Sequence, residues 1–163
     1  MKTSTSVPLR YILFSLLAVT VLACASKKPK LLMFEYLPAV FEHEYIESEA
    51  KVYLVNDPKR YQELLDELKM KPQDRETYTE YWEKNSLLLI YGGTRPSSGY
   101  NIQTDSILAT GKSLAVIATL TKPGDNCMVA DVITYPVQLL SIPKSAAQGD
   151  IKFKLKTISK ACR

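Results

Sequence analysis

The sequence predicts an α+β fold, a mainly antiparallel β sheet or partly closed sandwich with one packed helix. Three observations carry this expectation. Apolar and polar residues alternate along several short runs, most cleanly at Leu114, Val116, Ala118 and Leu120, which is the period of a strand with one buried face. A single segment instead repeats its apolar residues at helical spacing, with Tyr61, Leu64, Leu65 and Leu68 on one stripe. Gly- and Pro-rich punctuation separates the apolar runs by short connections, and short connections between consecutive strands imply antiparallel hairpins.

In chain order, Lys2 and Arg10 precede an apolar run over residues 11–22, which ends at Ala23-Cys24. A charged start, an apolar centre and a small-residue cleavage site make up an export signal. The run falls short of the roughly 20 apolar residues that a spanning helix needs, and Ser26-Lys27-Lys28-Pro29-Lys30 follows at once. Val21-Leu22-Ala23-Cys24 resembles the lipobox read by lipoprotein signal peptidase. Residues 1–23 are therefore expected to be a signal peptide, residues 24–30 a lipid anchor and basic tether, and residues 31–163 one globular domain. Cys24 is the expected lipidation site. Acyl chains contribute roughly 0.8 kcal/mol per buried CH₂, so two or three of them hold a chain on a membrane. Ala25 stands where an inner-membrane retention signal would show Asp, so the resemblance implies, in a cell that has an outer membrane, a location on that membrane, facing the periplasm or the surface.

Within the domain, residues 31–55 read as extended, with Ala50, Val52 and Leu54 on one face and Lys51 and Tyr53 on the other. Asn56-Asp57-Pro58 then opens a helix, Asp57 being suited to the N-cap and Pro58 to the first turn, and the stripe carries it to about Met70. Residues 74–84 place Tyr78, Tyr81 and Trp82 among charges, as in a short helix or turn whose aromatics plug a sheet edge. From Leu87 the pattern is β: residues 87–91, 100–108, 114–120, 127–135, 137–142 and 151–158, with Pro136 marking a bend. The last strand turns Ile151, Phe153 and Leu155 inward and Lys152, Lys154 and Lys156 outward, which suits an edge or a wet face.

Composition and motifs exclude several function classes. The net charge of +4 falls to +2 once Lys2 and Arg10 leave with the signal, and that residue supplies no electrostatic case for nucleic acid. With Cys24 assigned to lipid, Cys127 and Cys162 are an even pair in a compartment that permits a disulfide. His43, the one histidine, lies between Glu42 and Glu44 with no metal-ligand spacing around it. Ser98-Gly99 is no nucleophile elbow. No catalytic residue, no metal ligand and no cofactor is expected.

One loop does suggest recognition. Residues 92–100, Gly92-Gly93-Thr94-Arg95-Pro96-Ser97-Ser98-Gly99-Tyr100, join an apolar strand to a polar one. Glycines permit close backbone approach, while Arg95 and Tyr100 are side chains that interfaces favour. Arg95, Ser97, Gly99 and Tyr100 are the expected partner-binding residues, although a glycine-built hairpin whose Tyr packs on the sheet explains the same pattern.

The order of elements resembles the PrcB C-terminal domain family. The resemblance lies in the Asn56-Asp57-Pro58 helix, Tyr81-Trp82-Glu83 before an apolar strand, Gly99-Tyr100-Asn101-Ile102, Lys122-Pro123-Gly124, and Thr134-Tyr135-Pro136-Val137-Gln138-Leu139 before Ile142-Pro143-Lys144. It covers roughly residues 50–145. The family's named member is an accessory lipoprotein that binds and stabilises a secreted serine protease. The resemblance thus implies a non-catalytic subunit that binds another exported protein, a serine protease in the most concrete case, while the N-terminal lipid holds the membrane. A small-ligand or cell-wall-binding lipoprotein is the rival reading, and it requires a deep enclosed pocket where a protein partner requires an open surface.

Overall fold

In the computed structural model, residues 28–45, 48–72, 81–111 and 113–162 are described; Cys24 and Tyr78 fall outside them. Two four-stranded sheets stack face to face. The first has the order β1 (Lys30–Leu32), β7 (Asn101–Thr110), β8 (Ser113–Pro123), β10 (Asp150–Lys160), and the second β2 (Glu35–Leu37), β9 (Val137–Pro143), β6 (Asn85–Tyr91), β4 (Lys51–Val55). A small ribbon pairs β3 (Phe41–His43) with β5 (Met70–Pro72).

The alternation along β8 is real burial: Leu114, Val116, Ala118 and Leu120 are sealed while the residues between them are half-open. They meet Val52, Leu88, Ile90, Leu140 and Ile142 of the second sheet in the inter-sheet core. The second sheet is covered on its other face too, where Leu87, Leu89, Tyr91 and Val55 pack with Tyr61, Leu64 and Leu65. This double cover explains why residues 87–91 form an unbroken apolar run, since both faces of β6 are interior. Each fully buried Leu contributes about 1.5–3 kcal/mol relative to exposure. Between the sheets, Thr104 is buried and donates from both its amide and its hydroxyl to Gln138 Oε1, at 2.8 and 2.9 Å, which satisfies polar groups at the bulge in β7.

Helix α1 (Pro58–Glu67) begins as its residues dictate. Asp57 is extended and its Oδ1 accepts from the Arg60 amide at 2.9 Å, and Pro58 occupies the first turn. The expected run to Met70 is too long. The Leu68 amide donates to Leu64 O, Lys69 takes φ 49°, and Met70 has already entered β5 against His43. The expectation of one helix is corrected as well: α2 (Tyr81–Lys84) is a second, single-turn helix. Trp82 on that turn is buried 6.0 Å from the Tyr61 ring, and its carbonyl accepts from Lys144 Nζ at 2.8 Å. Trp82 is thus a core plug, as the aromatic content of residues 74–84 suggested, and is unavailable as a contact residue.

Two further expectations fail. Residues 127–135 form no strand; residues 124–136 are a loop, and among the described residues a single antiparallel bridge, Arg95 to Thr134, is its ladder contact. β10 pairs with β8 in parallel over its whole length, Asp150 opposite Ser113 through Lys160 opposite Pro123. The remaining strand pairs are antiparallel. The parallel pair follows from the path of the chain: after β8 it crosses to the second sheet as β9, and it returns to the end at which β8 began. β1 and β2 are separated only by Met33 and Phe34 yet belong to different sheets, so the chain closes one side of the sandwich there, and β4 and β10 approach on the other.

Candidate functional site

Loops 92–100 and 124–136 meet at one end of the sandwich, where β6 leads into the first and β8 into the second. Backbone and side-chain hydrogen bonds fasten them together. Arg95 and Thr134 exchange amide-to-carbonyl bonds of 2.9 Å in both directions, the Thr134 hydroxyl donates to Ser97 O at 2.8 Å, and the Ser98 amide donates to Ala130 O at 3.0 Å. The Ala130 amide returns a bond to Ser98 Oγ at 2.9 Å. Gly92 donates to Pro136 O at 2.7 Å, and Gly93 takes φ 80°, where an added Cβ would lie 3.0 Å from the Ala50 amide nitrogen and from Ser48 O. Glycine is required at that position by both the backbone angle and the approach.

The structure brings the four expected contact residues together but gives them a largely architectural role. The Arg95 Nε donates to Gly92 O at 2.8 Å, a second guanidinium nitrogen donates to the same carbonyl, and the group lies 5.9 Å from the Tyr100 ring centroid. Arg95 is therefore half-spent inside its own loop. Ser97 Oγ donates to the neighbouring Ser98 carbonyl at 3.2 Å. Gly99 has φ 87°, and an added Cβ there would lie 3.3 Å from both Pro123 Cβ and Val129 Cγ1. Tyr100 packs against the inter-sheet core, as the hairpin reading anticipated.

What projects instead is the loop over residues 124–136. Met128 is fully exposed, and Val129, Val132 and Ile133 are 40%, 50% and 45% exposed; four large apolar side chains in six positions are rarely left in water on a free surface. The Cys127–Cys162 disulfide, with Cα atoms 5.2 Å apart, ties the loop's start to the end of β10. The Gly124 amide adds a bond to Lys160 O at 2.8 Å, and the Cys127 amide one to Gly124 O at 3.0 Å. Sequence reasoning missed this site because Met128, Val129, Val132 and Ile133 carry the β-favouring character of a strand. The legible signal against a strand was the Cys-and-Pro bracketing.

Among the described residues, three solvent-open grooves flank the projecting loop. One of about 700 Å³ runs between it and loop 92–100, lined by Tyr45, Glu49, Arg95, Pro96 and Ile133. A second, about 410 Å³, has Val40, Phe41, His43, Ile133 and Tyr135 along it. The third, about 650 Å³, lies between Gly99, Met128, Val129 and Lys160. Tyr45 and Val40 at the groove rims are 62% and 54% exposed. His43 stacks on Tyr135 at 4.6 Å and 16°, its Nδ1 is buried without a hydrogen-bond partner, and burial lowers its pKa below the usual 6.5. It acts as an aromatic support beneath Tyr135. Burial also raises the phenol of Tyr91, 6.5 Å from the His43 ring. Among the described residues no group of His, Cys, Asp or Glu is arranged to hold a metal ion, and no helix is long and apolar enough to cross a membrane.

No curated protein and no solved structure matches the chain. A family match exists, and it is narrower than the resemblance read from the residues: α1 and the Tyr81-Trp82-Glu83 turn fall outside it. Residues 86–143, which supply β6 through β9 together with both loops of the site, match the family described as PrcB C-terminal.

Proposed function

We propose that this protein is an exported lipoprotein, anchored through Cys24, that works as a non-catalytic subunit by binding another exported protein, a protease in the most concrete case, and stabilising or regulating it. The observation that carries the reading is the apolar loop of residues 124–136, with Met128, Val129, Val132 and Ile133 held in solvent by a disulfide at one end and by loop 92–100 along its length. A pre-ordered loop loses little conformational entropy on binding, and so more of its apolar burial is realised as affinity. The similarity of residues 86–143 to the PrcB C-terminal family supports a protease-complex role and an accessory rather than a catalytic part. Open grooves beside a ridge suit the side chains of a protein surface. Purification of the acylated protein from solubilised membranes tests the reading. An exported protein should copurify with the wild type and be lost with Ile133→Asp, while equal recovery from both would refute the site.

A further inference from the structure

The first sheet is covered on one side by the second sheet, while no described element covers the other, and that bare side is charged differently from the rest of the described residues. Lys152, Lys154 and Lys156 are exposed along β10, with Lys160 of the same parity at its end. Only Asp105 and Asp150 oppose them on these strands, and among the described residues every glutamate lies outside the sheet. Asp105 accepts from Thr119 at 2.8 Å, so part of its charge is already engaged.

An apolar row lies beside the lysines. The register places Leu31 opposite Leu108, Leu108 opposite Ala115 and Ala115 opposite Lys152; one level further along the strands Ile117 stands opposite Lys154. These residues have the parity opposite to the buried Ile107, Leu114 and Val116 and therefore face outward. Leu31 is 60% exposed, and Met33, just beyond β1, is 80% exposed.

The same sheet receives the N-terminal tether. Lys30 opens β1 opposite Ala109, at the end of the sheet where Asp150 pairs with Ser113. Cys24 precedes Lys30 by six residues, a reach of at most about 20 Å, and Lys27 and Lys28 lie on that path. The contact loops leave the opposite end of the sheet. From Ala109 to Asn101 along β7 is about 27 Å at strand rise.

We propose that the bare face of the sheet β1-β7-β8-β10 is a membrane-apposed surface, on which Lys152, Lys154 and Lys156 engage anionic phospholipid headgroups beside the apolar row of Leu31, Leu108 and Ile117. The proposal rests on the reading of Cys24 as the anchor for its setting, since the tether keeps this sheet close to the bilayer. Lysines at such a surface extend to the headgroups while their stems cover apolar area. The arrangement places the apolar contact loop at the far end of the sheet from the tether, free for a partner.

Two measurements test this. The first uses the acylated protein reconstituted in vesicles and a membrane-impermeant amine reagent, read by mass spectrometry. Lys152, Lys154 and Lys156 should label about five-fold more slowly on phosphatidylglycerol-containing phosphatidylethanolamine vesicles than on phosphatidylcholine vesicles, a factor corresponding to the electrostatic attraction of about one lysine. Lys59 on α1, whose side chain is 88% exposed, should label equally on both. The second uses the Cys24→Ser chain, so that its outcome is independent of acylation. That protein should cosediment with the phosphatidylglycerol vesicles in preference to phosphatidylcholine, and K152E/K154E/K156E should reduce the bound fraction at least ten-fold. K152Q/K154Q/K156Q, with the melting temperature of each variant, separates lost attraction from lost folding and should reduce binding with an unchanged melt. Equal labelling of the three lysines on both vesicle types, or equal sedimentation of the Cys24→Ser chain with both, overturns the proposal; the intact mass at Cys24 reports separately on the anchor.

Discussion

Removing the Cys127–Cys162 cross-link, as C127S/C162S, should separate the stability of the fold from the order of its contact loop. The two cysteines are 35 residues apart in sequence. Closing a loop of that length removes unfolded-state entropy equivalent to about 4 kcal/mol. For a domain of this size each kcal/mol moves the midpoint by roughly 3–5 °C, so the melting temperature should fall by about 10 °C or more. The sheet itself should survive, because β10 is held along β8 over eleven register positions and its Ile151, Phe153 and Leu155 pack in the inter-sheet core. The loop should not fare as well. Among the described residues its start would keep the Gly124 and Cys127 amide bonds, and the order that favours binding would decline. Circular dichroism at room temperature should therefore remain native, thermal melting should shift down, and capture of the copurifying partner should drop several-fold well below the new midpoint. A variant that melts lower yet captures its partner fully would show that the loop is not the binding face. An unchanged midpoint would show that the cross-link constrains nothing the strands do not already fix.

Other perturbations have signs that follow from the geometry. Gly93→Ala should cost about 1–3 kcal/mol, seen by chemical denaturation, because φ 80° and the 3.0 Å approach to the Ala50 and Ser48 backbone leave no room for a Cβ. Asp57→Ala should cost about 1 kcal/mol through the lost bond to the Arg60 amide, with no effect on partner capture. Arg95→Ala should lower both the melting temperature and capture, since its guanidinium is bonded to Gly92 O inside the loop; loss of capture alone would mean that Arg95 is a direct contact. His43 gives a pH signature. Its pKa is depressed in the folded state, so the unfolded chain takes up the proton first; stability should be intact above about pH 6.5 and decline as pH falls below it toward the folded pKa. His43→Phe should flatten that acid-side decline in melting temperature, and an unaltered pH profile would show that His43 is not its source.

The sequence was most legible where one period met one environment. β8 and β10 each bury a single face, so alternation identified Leu114 to Leu120 and Ile151 to Leu155 correctly. The N-cap of α1 was legible because Asp57 and Pro58 act locally. Legibility failed where distant partners decide. Met70 reads as a continuation of the helix, but pairing with His43 draws it into a ribbon. Residues 127–135 have strand-like side chains without a neighbouring strand to receive them, since β9 and β8 are already occupied by β6, β2, β7 and β10. The parallel β8–β10 pair was hidden because β9 intervenes in sequence but lies in the other sheet. For the site, the glycine loop was visible as a recognition candidate. Its partner loop was not, because exposure of Met128 and Ile133 is a property of the whole fold rather than of their own segment.

The most direct test of the binding account is site-specific photo-crosslinking from the contact loop in the intact envelope. A photoreactive residue at Met128 or Ile133 should give a defined adduct with one exported protein, the same that copurifies with the wild type, while the same group at Glu63 on α1, in the helix layer, should give none. Adducts of equal yield from all three positions, or from Glu63 alone, would contradict the account.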